Sequence, residues 1–70
     1  MRKLIHSTET IMTAIEPERL TRLADESMLA VRLIEERKAT GKWIFEYEVS
    51  GEIGNVEKFL VRMKKMEATE

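Results

Sequence analysis

Residues 42–49, KWIFEYEV, place Trp43, Phe45, Tyr47 and Val49 at every second position, with Ile44, Glu46 and Glu48 between them. A period of two belongs to a β-strand, whose successive side chains point to opposite faces. The aromatic row is therefore one continuous apolar surface, which the rest of the chain must cover or leave to a ligand. Two amphipathic helical patterns elsewhere in the chain each need an apolar surface beneath them, and no other stretch offers one of this extent. The row is read as core, and Ile44, Glu46 and Glu48 as the exposed or partner-facing side of the strand.

The first covering helix is read from Pro17 to about Lys38. Proline suits the first turn, where its missing N–H costs nothing, and Glu16 and Glu18 suit the positive end of the dipole. Arg37 and Lys38 suit the other end, and Thr40-Gly41 supplies a stop. Leu20, Leu23, Ala24, Ser27, Ala30, Val31 and Ile34 then form one stripe. Leu29 and Leu33 fall nearly opposite it, so the half-helix MLAVRLI is apolar on two sides and is expected to meet a second surface, most simply another copy of the chain. The second helix opens after SGEIGN with Asn55 as its cap, and Val56, Phe59, Leu60 and Met63 form its stripe. Residues 3–15, KLIHSTETIMTAI, are rich in β-branched Ile and Thr and read as a strand. A short helix from Ser7 or Thr8, with Ile11, Met12 and Ile15 inward, is the alternative.

These elements predict one α+β domain over residues 1–70, a two-layer β-α-β-α unit with both helices on one face of the sheet. Two strands joined by so long a helix are expected to be parallel. A two-stranded sheet is poorly stable alone, so pairing with a second copy is expected to complete four strands under four helices. Size argues the same way: a chain of 70 residues buries only roughly 60% of its unfolded surface. The chain has no cysteine and one histidine, His6, which removes disulfides and the usual zinc ligand sets and leaves oligomerisation as the expected source of added stability.

The stretch EYEVSGEIGNVEKFLVRMKK resembles the closing strand-helix unit of ferredoxin-like modules such as the acylphosphatases. The resemblance covers under a third of the chain and implies a ferredoxin-like geometry. An acylphosphatase carries a glycine-rich phosphate loop with an arginine after its first strand, whereas this chain reads TETIMTAIEPER there, without glycine. No activity or site residue is carried over.

Twelve basic and thirteen acidic residues give a formal charge of −1, which supplies no bulk attraction to nucleic acid or an anionic membrane. The longest apolar run, MLAV, is far short of a membrane span, and MRKLIHSTET lacks a signal-peptide apolar core, so a cytoplasmic protein is expected. No catalytic constellation stands out. His6 and Ser7 are adjacent on a strand and point apart. Glu46 and Glu48 share a face about 7 Å apart by strand rise, on the side read as solvated. GEIGN lacks the lysine and hydroxyl of a phosphate loop and holds Glu52, which would repel an anion. No cofactor, metal or small-molecule substrate is indicated. The expectation is a non-enzymatic homodimer that regulates, inhibits or adapts a larger protein partner through Leu29, Leu33, Ile44, Glu46 and Glu48. The alternative is a nucleic-acid-binding regulator that meets phosphates with Lys58, Arg62, Lys64 and Lys65, helped by Arg2 and Lys3.

Overall fold

A computed structural model describes residues 5–69. Within them the chain runs β1 (His6–Thr13), α1 (Pro17–Glu26), β2 (Ala30–Ala39), β3 (Lys42–Glu52) and α2 (Ile53–Ala68). The α+β class is as expected, and the strand reading of 3–15 holds over His6–Thr13; Lys3 and Leu4 lie outside the described residues. The element order is β-α-β-β-α rather than β-α-β-α, because the expected long helix is two elements.

Helix α1 ends where no glycine announces it. The Leu29 N–H donates to the Ala24 carbonyl (2.9 Å) and the Met28 N–H to the Asp25 carbonyl (3.1 Å), while Met28 takes a left-handed φ of 59°. This is the Schellman arrangement, with Met28 at the position glycine usually fills and the apolar pair Leu29 and Ala24 closing it. Both of those residues are buried. Met28 is 82% exposed and contributes little by packing, so Met28→Gly should raise stability by about 1 kcal/mol by relieving the left-handed backbone. A shift of about 4–8 °C in Tm checks it; a lower Tm would show that the conformation is not strained.

Released from helix, residues 30–39 alternate as a strand. Val31 and Leu33 stand opposite Val49 and Tyr47, Arg32 stands opposite Glu48, and Ile34 is the extra residue of a bulge between Leu33 and Glu35. Thr40-Gly41 is a two-residue hairpin turn rather than a helix stop: Ala39 pairs with Lys42, and φ is 50° at Thr40 and 78° at Gly41, the signs a type I′ turn requires.

The sheet order is β1-β3-β2. β3 is antiparallel to both neighbours, so β1 and β2 run parallel with β3 between them and α1 as their crossover. The expectation of two adjacent parallel strands is corrected accordingly: the chain supplies its own third strand and puts the aromatic one at the centre. Phe45, Tyr47 and Val49 are buried beneath Leu20, Leu23 and Ala24 of α1 and Val56, Phe59 and Met63 of α2, in one core with Ile11, Ile15 and Leu29. Trp43 is the exception, at 51% exposed.

The strand-to-helix junction is tighter than the expected glycine turn. β3 extends through Gly51 and Glu52, and α2 begins at once at Ile53. The cap is Glu52, not Asn55: its carboxylate accepts the Asn55 N–H at 3.2 Å and occupies the helix N-terminus. Gly51 lies within the strand, and a β-carbon there would collide with the Leu29 side chain, so its role is to admit Leu29 to the core.

Candidate functional site: a projecting hairpin and a basic groove

β1 stops at Thr13, opposite Phe45, but β3 begins three residues earlier and pairs there with β2 alone. The β2–β3 hairpin therefore projects beyond the two-helix layer, and the molecule measures 50 × 24 × 16 Å. Trp43 on this arm is exposed, as are Leu33 and Ile34 further down the same hairpin, in the three-stranded part of the sheet. Trp43 stacks on Phe45 with ring centroids 6.5 Å apart at 18°, which extends the core's aromatic row out of the core and onto the arm. At the arm's base, Met12, Ala14, Lys42, Trp43, Ile44 and Glu67 border an open hollow of about 390 Å³. Glu67 is held there by a hydrogen bond from the Thr13 hydroxyl, and that hydroxyl also accepts the Ile15 N–H at 3.2 Å.

The aromatic row is thus core from Phe45 onward and surface at Trp43. The reason is length: α1 has only ten residues, and neither helix extends over the end of the hairpin. Tryptophan emission should accordingly be red-shifted and readily quenched by acrylamide in the folded protein, and Trp43→Ala should cost no more than about 1 kcal/mol. Blue-shifted, unquenched emission would place Trp43 in the core.

The five residues expected to meet a protein partner do not form one surface. Leu29 is buried and closes the end of α1, so it meets no partner. Leu33 is exposed and stands opposite Tyr47 on the helix-facing side of the sheet. Ile44, Glu46 and Glu48 are half-buried on the opposite side, where Glu48 accepts a charge-assisted hydrogen bond from Arg32 at 3.3 Å. The premise that joined Leu29 to Leu33, a helix apolar on two sides, fails because that segment is a strand. His6 and Ser7 stand opposite Glu52 and Gly51 and so face opposite sides of β1, as adjacent strand residues must.

The expected basic set is also divided. Lys58 and Arg62 line a groove between the helices with Glu26, Ser27, Met28 and Asn55. An adjoining hollow that shares Glu26 is bordered by Arg19, Arg22, Leu23 and Met66, and Arg22 lies 4.0 Å from Glu18. Lys65 falls seven residues from Lys58, on the same side of α2, whereas Lys64 is turned about 100° away from Lys65. Arg2 and Lys3 lie outside the described residues. Arg19 and Arg22 were absent from the sequence reading because nothing local links them to residues 58–62; packing α1 beside α2 does.

Among the described residues no helix is long and apolar enough to cross a membrane, and no group of three or more His, Cys, Asp or Glu is placed to hold a metal ion. Comparison of the chain with protein-family models, with curated proteins and with solved structures finds no match.

Proposed function

We propose that this chain is a small non-enzymatic homodimer that works by protein contact, as a regulator, inhibitor or adaptor of a larger protein partner in the cytoplasm. The observation that carries the reading is the hairpin: its arm holds Trp43 out from the core, half-exposed and stacked on Phe45, and Leu33 and Ile34 are exposed on the same hairpin nearer the core. A chain this small gains stability by burying every apolar side chain it can, so three large apolar side chains left exposed on one hairpin favour a contact surface there. Trp43 suits the role, since tryptophan is enriched among residues that carry binding energy.

The test is a pull-down from the native host with the wild-type chain beside the double variant Trp43→Ala, Leu33→Ser. A protein retained by the first and lost with the second supports the reading; identical captures by both chains would overturn the assignment to the hairpin. Light scattering at tens of micromolar tests the dimer, and a folded monomer would remove it.

A second reading, a nucleic-acid-binding regulator, is favoured by one observation, the convergence of Lys58, Arg62, Arg19 and Arg22 along the groove between the helices. It requires binding that weakens with salt and with Lys58→Ala plus Arg62→Ala. No binding to duplex DNA or single-stranded RNA at low salt removes it.

A further inference from the structure

The two edges of the sheet are chemically unlike. β2 carries Arg32, Glu35, Glu36, Arg37 and Lys38 among its ten residues and a bulge at Ile34, the devices by which an edge strand is kept from pairing with another chain. β1, HSTETIMT, has one carboxylate, Glu9, one histidine and an unbroken register with β3 from His6 to Thr13. Among the described residues, its outer side has no strand beside it. β1 is the edge open to another strand.

Helix α2 is built to roof such a strand. It lies across β1 and β3, with Glu67 bonded to Thr13 of β1 and Lys58 and Arg62 turned toward α1. Seven residues fall roughly 20° short of two helical turns, so Leu60 and Ile53 lie on the Glu67 side of α2, the side toward β1 and beyond it. Lys64 and Glu57 follow on that same flank, about 60–80° round from Glu67, while Val61 lies about 120° round and points away from the sheet. Ile53 is exposed and Leu60 is half-buried against the core, an apolar edge of α2 whose outer side has no strand or helix beyond it among the described residues.

We infer that the chain dimerises by antiparallel pairing of β1 with β1 of a second copy, which joins two three-stranded sheets into one of six strands. The inference rests on the homodimer proposed above and assigns its interface. Spacing selects a second copy over a foreign peptide. With strands about 4.8 Å apart and α2 over the β1/β3 boundary, the two α2 axes lie two strand spacings apart, about 9.6 Å, within the roughly 8–10 Å at which helices pack. A lone added strand would leave the outer part of that flank bare; the second α2 fills it. Charge agrees with the two-fold: in antiparallel α2 helices related about Leu60 and Val61, Glu57 of each copy meets Lys64 of the other. Pairing centred on Thr10 sets Glu9 opposite Ile11 of the second copy and Thr8 opposite Met12, and keeps the two Glu9 carboxylates from facing each other. The two arms then project from opposite ends of the dimer.

The absence of cysteine from the chain makes a direct test available. Thr10 is exposed, and two residues directly opposite in an antiparallel pair have Cα atoms about 4.5–5.5 Å apart, within the range a disulfide spans. Under mild oxidation Thr10→Cys should cross-link to a covalent dimer in high yield, while Arg37→Cys on β2 should not. Glu57→Lys and Lys64→Glu should each weaken dimerisation about tenfold or more, and the double charge swap should restore it. A wild-type dimer by light scattering in which Thr10→Cys fails to cross-link, or in which Arg37→Cys links instead, overturns this interface and leaves the homodimer standing. A wild-type monomer that stays folded overturns the homodimer itself.

Discussion

Phe59→Ala should remove about half of the stability of the fold. Phe59 is fully buried at the centre of the α2 stripe, and truncating such a ring removes its transfer free energy and leaves a cavity, a loss of about 3–5 kcal/mol. At about 0.05–0.15 kcal/mol per residue, a domain of this size has a total stability of roughly 4–10 kcal/mol, so one side chain accounts for much of it. Far-UV circular dichroism with urea titration reads the result, beside Val61→Ala on the same helix, where the side chain is 55% exposed and the expected change is within about 0.5 kcal/mol. A cooperative transition in Phe59→Ala with less than about 1.5 kcal/mol lost would mean that α2 does not pack through this residue.

Tyr47→Phe should cost about 1–3 kcal/mol at neutral pH, and the cost should shrink in alkali. The Tyr47 hydroxyl donates to the Ile15 carbonyl at 2.9 Å, and without it that carbonyl is left buried and unpaired. Burial, with smaller contributions from the Glu16 and Glu36 carboxylates, pushes the phenol up to about 12 from its ordinary 10.0. The unfolded chain releases this proton near pH 10 and the folded chain holds it to about 12. The stabilisation is therefore complete below pH 10 and is lost as pH rises from 10 to 12. Phenylalanine has no proton to release, so the stability gap between wild type and Tyr47→Phe should narrow across that window. Urea midpoints of both proteins at pH 7, 9, 10 and 11 test it; a gap that stays constant would show that the phenol is not held protonated by the fold.

Much of the architecture was legible because it is periodic. The alternation of KWIFEYEV identified β3 and its inward face, and the spacing of Val56, Phe59 and Met63 identified the inward face of α2. Pro17 marked the start of α1. The failure was local to residues 27–41 and has two causes. AVRLIEERKA is rich in good helix formers, and its period of two is broken by the bulge at Ile34, so it continues a helical stripe as well as it starts a strand. The end of α1 carries methionine where glycine usually signals a left-handed residue. The candidate site inherited that error: Leu29 and Leu33 were joined by a helix that does not exist, while Arg19 and Arg22 were overlooked because their neighbours on α2 lie some forty residues further along the chain.

The sequence by itself determined what is read from spacing: the α+β class, the buried side of the central strand, the helix stripes, and the lack of any disulfide. Only the tertiary structure decided where α1 ends, that β3 is inserted between β1 and β2, and that Trp43 stands outside the core its neighbours fill. The physical reason is that these depend on contacts distant in the chain. Leu29 can close α1 because Gly51 leaves room for it, β2 forms because β3 offers it a ladder, and Trp43 is exposed because the helices stop short of the hairpin's end.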